Sequence, residues 1–96
     1  MAMTIGALMC ELHLGSSRSL KEKRMVLNRL KGRLKSRFNV SVAEVDHQDL
    51  WQRAGIAVVC VASDKGVVEK TLEASAGEIE RELPGEVLEC TTEFLT

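Results

Sequence analysis

His47 stands between two carboxylates, Asp46 and Asp49, in the run from Glu44 to Arg53, EVDHQDLWQR. An imidazole beside an acid is the pair that general acid–base chemistry uses. With His13 the same residues make two imidazoles and two carboxylates, a donor set a divalent metal accepts in principle. Neither reading gains support elsewhere in the chain. It has no nucleophile motif, no metal-ligand spacing and no glycine-rich phosphate loop. The expectation is therefore a polar hairpin loop whose Asp side chains bond their own backbone, with no catalytic residue, metal or cofactor assigned. Asp46, His47, Asp49, Trp51 and Arg53 stand as the candidate site if the loop has a function. Trp51 is the only tryptophan, and there is no tyrosine. Its expected role is packing, with stacking on a base as the alternative.

A second stretch offers different chemistry. From Arg18 to Arg37 there are nine basic residues and one acid, Glu22, for a charge of +8. The remainder holds four basic residues and thirteen acids. The overall charge of −1 thus conceals a two-signed molecule. An ordinary solvated helix mixes signs and uses Glu–Lys pairs four residues apart; this stretch has almost no acid for them. Arg18, Lys21, Arg24, Arg29, Lys31, Arg33, Lys35 and Arg37 are expected to bind nucleic-acid backbone, weakly specific and salt-dependent. The acids of the second half of the chain, Glu78, Glu80 and Glu82 among them, are expected to form a solvated acidic side.

The elements that must position these groups follow from periodicity. Thr4–Leu14 alternates as a strand. Leu20, Leu27, Leu30 and Leu34 recur at helical spacing, and Ser19 with Glu22 forms a capping box. Val40–Asp46 and Trp51–Ala62 read as a hairpin around residues 47–50, which places Glu44 across from Arg53 and Asp46 across from Trp51. Ser63-Asp64 opens a second helix, and Pro84-Gly85 stops it. Glu86–Leu95 alternates as a last strand.

The order βαββαβ implies an α+β, ferredoxin-like domain spanning 1–96. Its antiparallel sheet has order 4-1-3-2, with both helices on one face. Leu8, Cys10, Leu12, Ile56, Val58, Cys60, Leu88 and Phe94 should face the helices. Ile5, Ala7, Met9, Ala57, Val59, Val61 and Val87 should lie on the open face, where an apolar centre invites a second copy, through the sheet face or the edge of the second strand. His13, Ser16, Ser17, Arg18, Asp46, His47, Asp49 and Trp51 should converge at one end. The aromatic ladder of a sheet that reads single-stranded RNA is absent, since the central strands read GIAVVCVA and IGALMCEL.

Three cysteines without a CxxC pair are expected to be small buried hydrophobes in a reducing compartment. The first fourteen residues read as neither a signal peptide nor a membrane span. The runs RSLKEKR (18–24) and FNVSVAEVDHQDLWQRA (38–54) resemble the YlxP-like family of small bacterial proteins, a domain of unknown function. The resemblance implies a ferredoxin-like fold and a cytoplasmic bacterial protein. It also implies a gene neighbourhood of transcription-elongation, translation-initiation and ribosome-binding factors. It supplies no activity. The expectation is a non-enzymatic module on ribosomal RNA or a ribosome-assembly intermediate. The alternative is a homodimeric interaction or small-ligand regulatory module.

Overall fold

A computed structural model describes residues 2–95. The chain runs β1 (Thr4–His13), α1 (Leu20–Arg37), β2 (Ser41–Asp46), β3 (Arg53–Ala62), α2 (Lys65–Glu82) and β4 (Val87–Phe94). The four strands form one antiparallel sheet in the order β2-β3-β1-β4, the ferredoxin-like arrangement that the element order implied. Alternation makes β1 and β3 the centre of the core. Leu8, Cys10 and Leu12 of β1 join Ala54, Ile56, Val58 and Cys60 of β3 on the helix side, against Leu27, Leu30 and Leu34 of α1 and Val68, Leu72 and Ile79 of α2. Each fully buried leucine is worth roughly 1.5–3 kcal/mol. Helix α2 seats tightly on β1 because Gly6 has no side chain. A Cβ there would lie 2.7 Å from Val68 Cγ1 and 2.9 Å from Leu72 Cδ1.

Ser19 caps α1, its hydroxyl accepting from the Glu22 amide at 3.1 Å. The Glu22 carboxylate takes its return bond from the Arg18 amide, one residue before the cap, rather than from Ser19 itself.

Three expectations need correction. A register shift between Glu11 and Leu12 pairs Leu12 with Val87 and leaves Leu88 as the extra residue. Val87 therefore packs against the core and Leu88 is exposed, the reverse of strict alternation. Cys10 and Cys90 lie directly opposite on β1 and β4 and are joined by a disulfide, with Cys90 exposed. Only Cys60 is the buried thiol expected of all three, and the argument from cysteines to a reducing compartment loses its basis. Glu78 is not part of a solvated acidic side. It is buried between the helices, 2.8 Å from Arg81 and 3.5 Å from Arg37, with Arg33 3.9 Å away.

The hydrogen bond from Arg81, with the charges of Arg37 and Arg33, holds the Glu78 carboxyl below its ordinary value against the opposing effect of burial. A depressed folded-state value means the stabilisation is present above the ordinary carboxyl range and is lost as pH falls through the lowered one. The expected outcome is an acid-side loss of thermal stability that Glu78→Gln reduces. Melting temperatures of both proteins across acidic pH check it: equal slopes would place the acid sensitivity elsewhere.

Candidate functional site

The run that carries His47 folds into a six-residue connection, 47–52, rather than the tight loop its polarity suggested. The reason is register. Glu44 pairs with Ile56 and Asp46 with Gly55, with an irregularity at Val45 between them. Arg53 thus lies opposite His13 on β1 and far along the strand from Glu44. The expected Glu44–Arg53 and Asp46–Trp51 neighbours do not form, because pairing with β2 begins at Gly55, four residues beyond Trp51, and the extra residue at Val45 then sets Glu44 against Ile56.

Two polar networks grip this hairpin, one on each side of the sheet. On the helix side, Lys23 of α1 is 1% exposed. Its Nζ donates to the carbonyl oxygens of His47 (2.8 Å), Gln48 (3.2 Å) and Arg53 (3.3 Å). An ammonium has three protons, so these three carbonyls use them all. Glu44 Oε2, 2.7 Å away, is held as the charge partner rather than by an aligned hydrogen bond. The basic run therefore contains one lysine that solvent never meets. A buried cation needs both a counter-charge and acceptors, and here it has both.

On the open side, Glu89, Glu11, Gly55 and Asp46 form a row across β4, β1, β3 and β2. Glu11 Oε2 accepts from Arg53 at 2.8 Å and lies 3.0 Å from His47 Nε2. Asp46 Oδ1 accepts from the His47 amide at 2.9 Å, and its Oδ2 lies 3.8 Å from Nε2. His47 itself is left-handed, φ 60°, a conformation that non-glycine residues adopt sparingly. The Asp46 bond and the Leu50 amide on the His47 carbonyl hold it there. Gly55 makes the row possible, for a Cβ would lie 2.8 Å from Asp46 Cβ and 3.2 Å from Glu11 Oε1.

The chemistry of this group follows from its partners. Glu11, Asp46 and His47 each offer a ligand atom within 4.8 Å of the others, a carboxylate–imidazole donor set. The Arg53 guanidinium already occupies Glu11 Oε2, however, and its charge opposes a cation at that point. Among the described residues no serine, threonine or cysteine hydrogen-bonds His47. The arrangement is best suited to fixing the backbone at Asp46–His47. His13 lies outside it, exposed and forming no ion pair among the described residues. Gln52 ties the far end of the loop to the turn before α1, its Nε2 donating to the carbonyls of Gly15 and Ser17 at 3.2 Å each.

Nearly every polar residue of the 44–53 run thus has an internal partner. The exceptions point outward. Gln48, Asp49, Leu50 and Trp51 are exposed, with Trp51 at 54%. Trp51 is not taken into the core of the domain. Glu11, Lys23, Glu44, Gln52 and Gly55 were not in the candidate set. Lys23 had no signal apart from its place on the leucine face of α1, and Glu11 only its position as a charge inside an apolar strand.

Along α1 the cations divide. Arg33 Nε is 2.8 Å from Glu82, and Arg37 reaches Glu78, so these two join the helices. Arg18, Lys21, Arg24, Arg29 and Lys35 are exposed, and Lys31 is half-buried; none of the six forms an ion pair among the described residues. Among the described residues no helix is long and apolar enough to cross a membrane.

Comparison with known proteins fits this picture. Among solved structures, the de novo designed protein Foldit4 superposes with a TM-score of 0.61 at 16% identity, covering 98% of this chain and 97% of that one. A C-terminal segment of the alpha subunit of aIF2 from Pyrococcus abyssi gives a TM-score of 0.53 at 23% identity, over 98% of this chain and 50% of that one. At those identities the likeness is one of fold. In sequence, an uncharacterized protein YlxP from Bacillus subtilis (strain 168) is 42% identical over 69 residues, 72% of this chain and 75% of the relative. Residues 5–92 match the family described as protein of unknown function, DUF503, and it is to this YlxP-like family that the chain belongs.

Proposed function

We propose that the protein is a non-enzymatic RNA-associated module that holds phosphate backbone along the solvent face of α1, on ribosomal RNA or a ribosome-assembly intermediate. The observation that carries this reading is the unpaired cation face. Arg18, Lys21, Arg24, Arg29 and Lys35 have no carboxylate within ion-pair distance among the described residues, while Glu78 and Glu82 of α2 pair with Arg33 and Arg37 instead. Such a surface gains most from a polyanion that releases counterions on binding. The gene neighbourhood implied by the family resemblance agrees with it.

The test is co-sedimentation with ribosomal subunits and with naked ribosomal RNA across a salt series. Arg24→Glu/Lys35→Glu is the informative variant. Reversing Arg33 would instead set a third carboxylate beside Glu78 and Glu82. With four or five phosphates engaged, log affinity should fall against log salt with a slope of about −3 to −4. The variant should bind more weakly and with a shallower slope. Salt-independent binding, or none, would reject the reading.

A second reading, a homodimer through the open sheet face, is favoured by Val45 and Val61, exposed at 54% and 48%. The β2 edge suits a partner less well, being six residues long and irregular at Val45. Sedimentation equilibrium decides it: a monomer at high concentration leaves that face without this role.

A further inference from the structure

We infer that Trp51 is a stacking platform for an unpaired RNA base, so that the partner of this module is single-stranded or looped RNA rather than a uniform duplex. The inference rests on the RNA reading above and deepens it. Its own observation is separate: a large aromatic ring, 54% exposed, stands beside Leu50, 45% exposed, on a loop that is anything but loose.

The loop is tied down at both ends. Lys23 holds the carbonyls of His47 and Gln48 at its start and Arg53 at its end, and Gln52 holds the turn before α1. The Leu14 amide donates to the Gln52 carbonyl at 2.8 Å. A fold that holds both ends of this loop and still leaves more than half of its one tryptophan in solvent presents that ring to a partner. A tryptophan on a loop held at both ends has only its two side-chain torsions to lose on binding, which suits a recognition anchor.

The choice of a base as occupant comes from the charges around it. Arg53, Asp49 and Gln52 line the same open hollow as Trp51 and Leu50. The Ser17 carbonyl that accepts from Gln52 belongs to the residue before Arg18, so the unpaired cations of α1 begin beside this loop. Ring and phosphate-binding cations thus belong to one rigid body. A strand whose backbone follows α1 can place a base on the indole face only if that base is unpaired. Stacking accepts any base, while Asp49, on the same hollow, supplies an acceptor for the base edge; the two Gln52 amide protons are already taken by Gly15 and Ser17.

Because Trp51 is the sole tryptophan and no tyrosine is present, intrinsic fluorescence reports on this ring alone. The full chain is titrated with a short mixed-sequence single-stranded RNA and with the blunt duplex of the same sequence. Wild type, Trp51→Phe, Trp51→Ala and Arg24→Glu/Lys35→Glu are compared, with circular dichroism confirming that each folds. The expected result is quenching by the single strand and little by the duplex. Trp51→Ala should bind the single strand about tenfold more weakly, within the range of base–aromatic stacking. Trp51→Phe should retain most of the affinity, and the salt slope should not change. Unquenched fluorescence at saturation, or equal single-strand affinity for wild type and Trp51→Ala, overturns the stacking role while salt-dependent binding leaves the phosphate reading intact. Absence of RNA binding by wild type overturns both.

Discussion

Replacing Lys23 by Met should be the most destabilising single change in the basic run, although it is nearly isosteric and removes a charge from a crowded cationic helix. The variant leaves Glu44 without its counter-ion, together with three carbonyls, those of His47, Gln48 and Arg53, that have lost their donor. Breaking a buried pair from one side costs about 3–5 kcal/mol. A domain of this size moves about 4–8 °C per kcal/mol, so the melting temperature should fall by at least about 10 °C. By contrast, Lys21→Met or Lys35→Met, on the exposed face, should change it by no more than a surface substitution does, about 0.5 kcal/mol. Adding Glu44→Leu to Lys23→Met should recover part of the loss but not all, because the carbonyls stay unsatisfied. Thermal melts of the four variants check this. A Lys23→Met protein that melts with the wild type would mean that water takes over the ammonium's bonds and that the hairpin does not depend on α1.

Gly55→Ala is the second large effect. The new methyl would meet Asp46 at its Cβ, 2.8 Å away, which is side-chain stem rather than a flexible tip. Strand β2 must therefore shift at its irregular end, and Glu11 Oε1, 3.2 Å from the same methyl, must yield too. Overpacking of this kind costs about 1–3 kcal/mol. The local consequence is more telling than the global one. The bond between Glu11 and His47 should be lost, because Glu11 can no longer lie along the row. Urea denaturation gives the energy, and the imidazole resonances of His47 in NMR give the local change. A stable variant with an unaltered His47 signal would show that the row tolerates a side chain at its centre. If the loop presents Trp51 for binding, Gly55→Ala should also weaken RNA binding without touching a residue that meets RNA.

Much of this could be read from residue order. Leucines at helical spacing, a Ser–Glu cap, alternating strands and a Pro-Gly stop are local signals, and the elements form where these place them, with alternation broken at the bulges of β2 and β4. The element order and the handedness of crossovers then leave few topologies, and the observed sheet is the expected one. The charge segregation was also legible, since it depends on composition along one helix.

What the sequence left open was every feature in which two distant segments choose between partners. Alternation does not give Glu44 its opposite number: the longer connection and the bulge at Val45 set it against Ile56 rather than Arg53, on the helix side, where its side chain pairs with Lys23. The same slip, at Glu11–Leu12, exchanged Val87 for Leu88. Nine cations in a row look alike; only the packed helix distinguishes Lys23, on the core side, from Lys21 and Arg24 beside it, and only α2 takes Arg33 and Arg37 out of the free set. Cys10 and Cys90, eighty residues apart, meet solely because β4 lies beside β1. The sequence by itself determined the elements, their order and the sign of the surface, because those depend on periodicity and charge within each segment. The tertiary structure alone decided which lysine is buried, which acids are spent and that Trp51 faces water. These depend on register and burial, which are set only when the whole sheet closes.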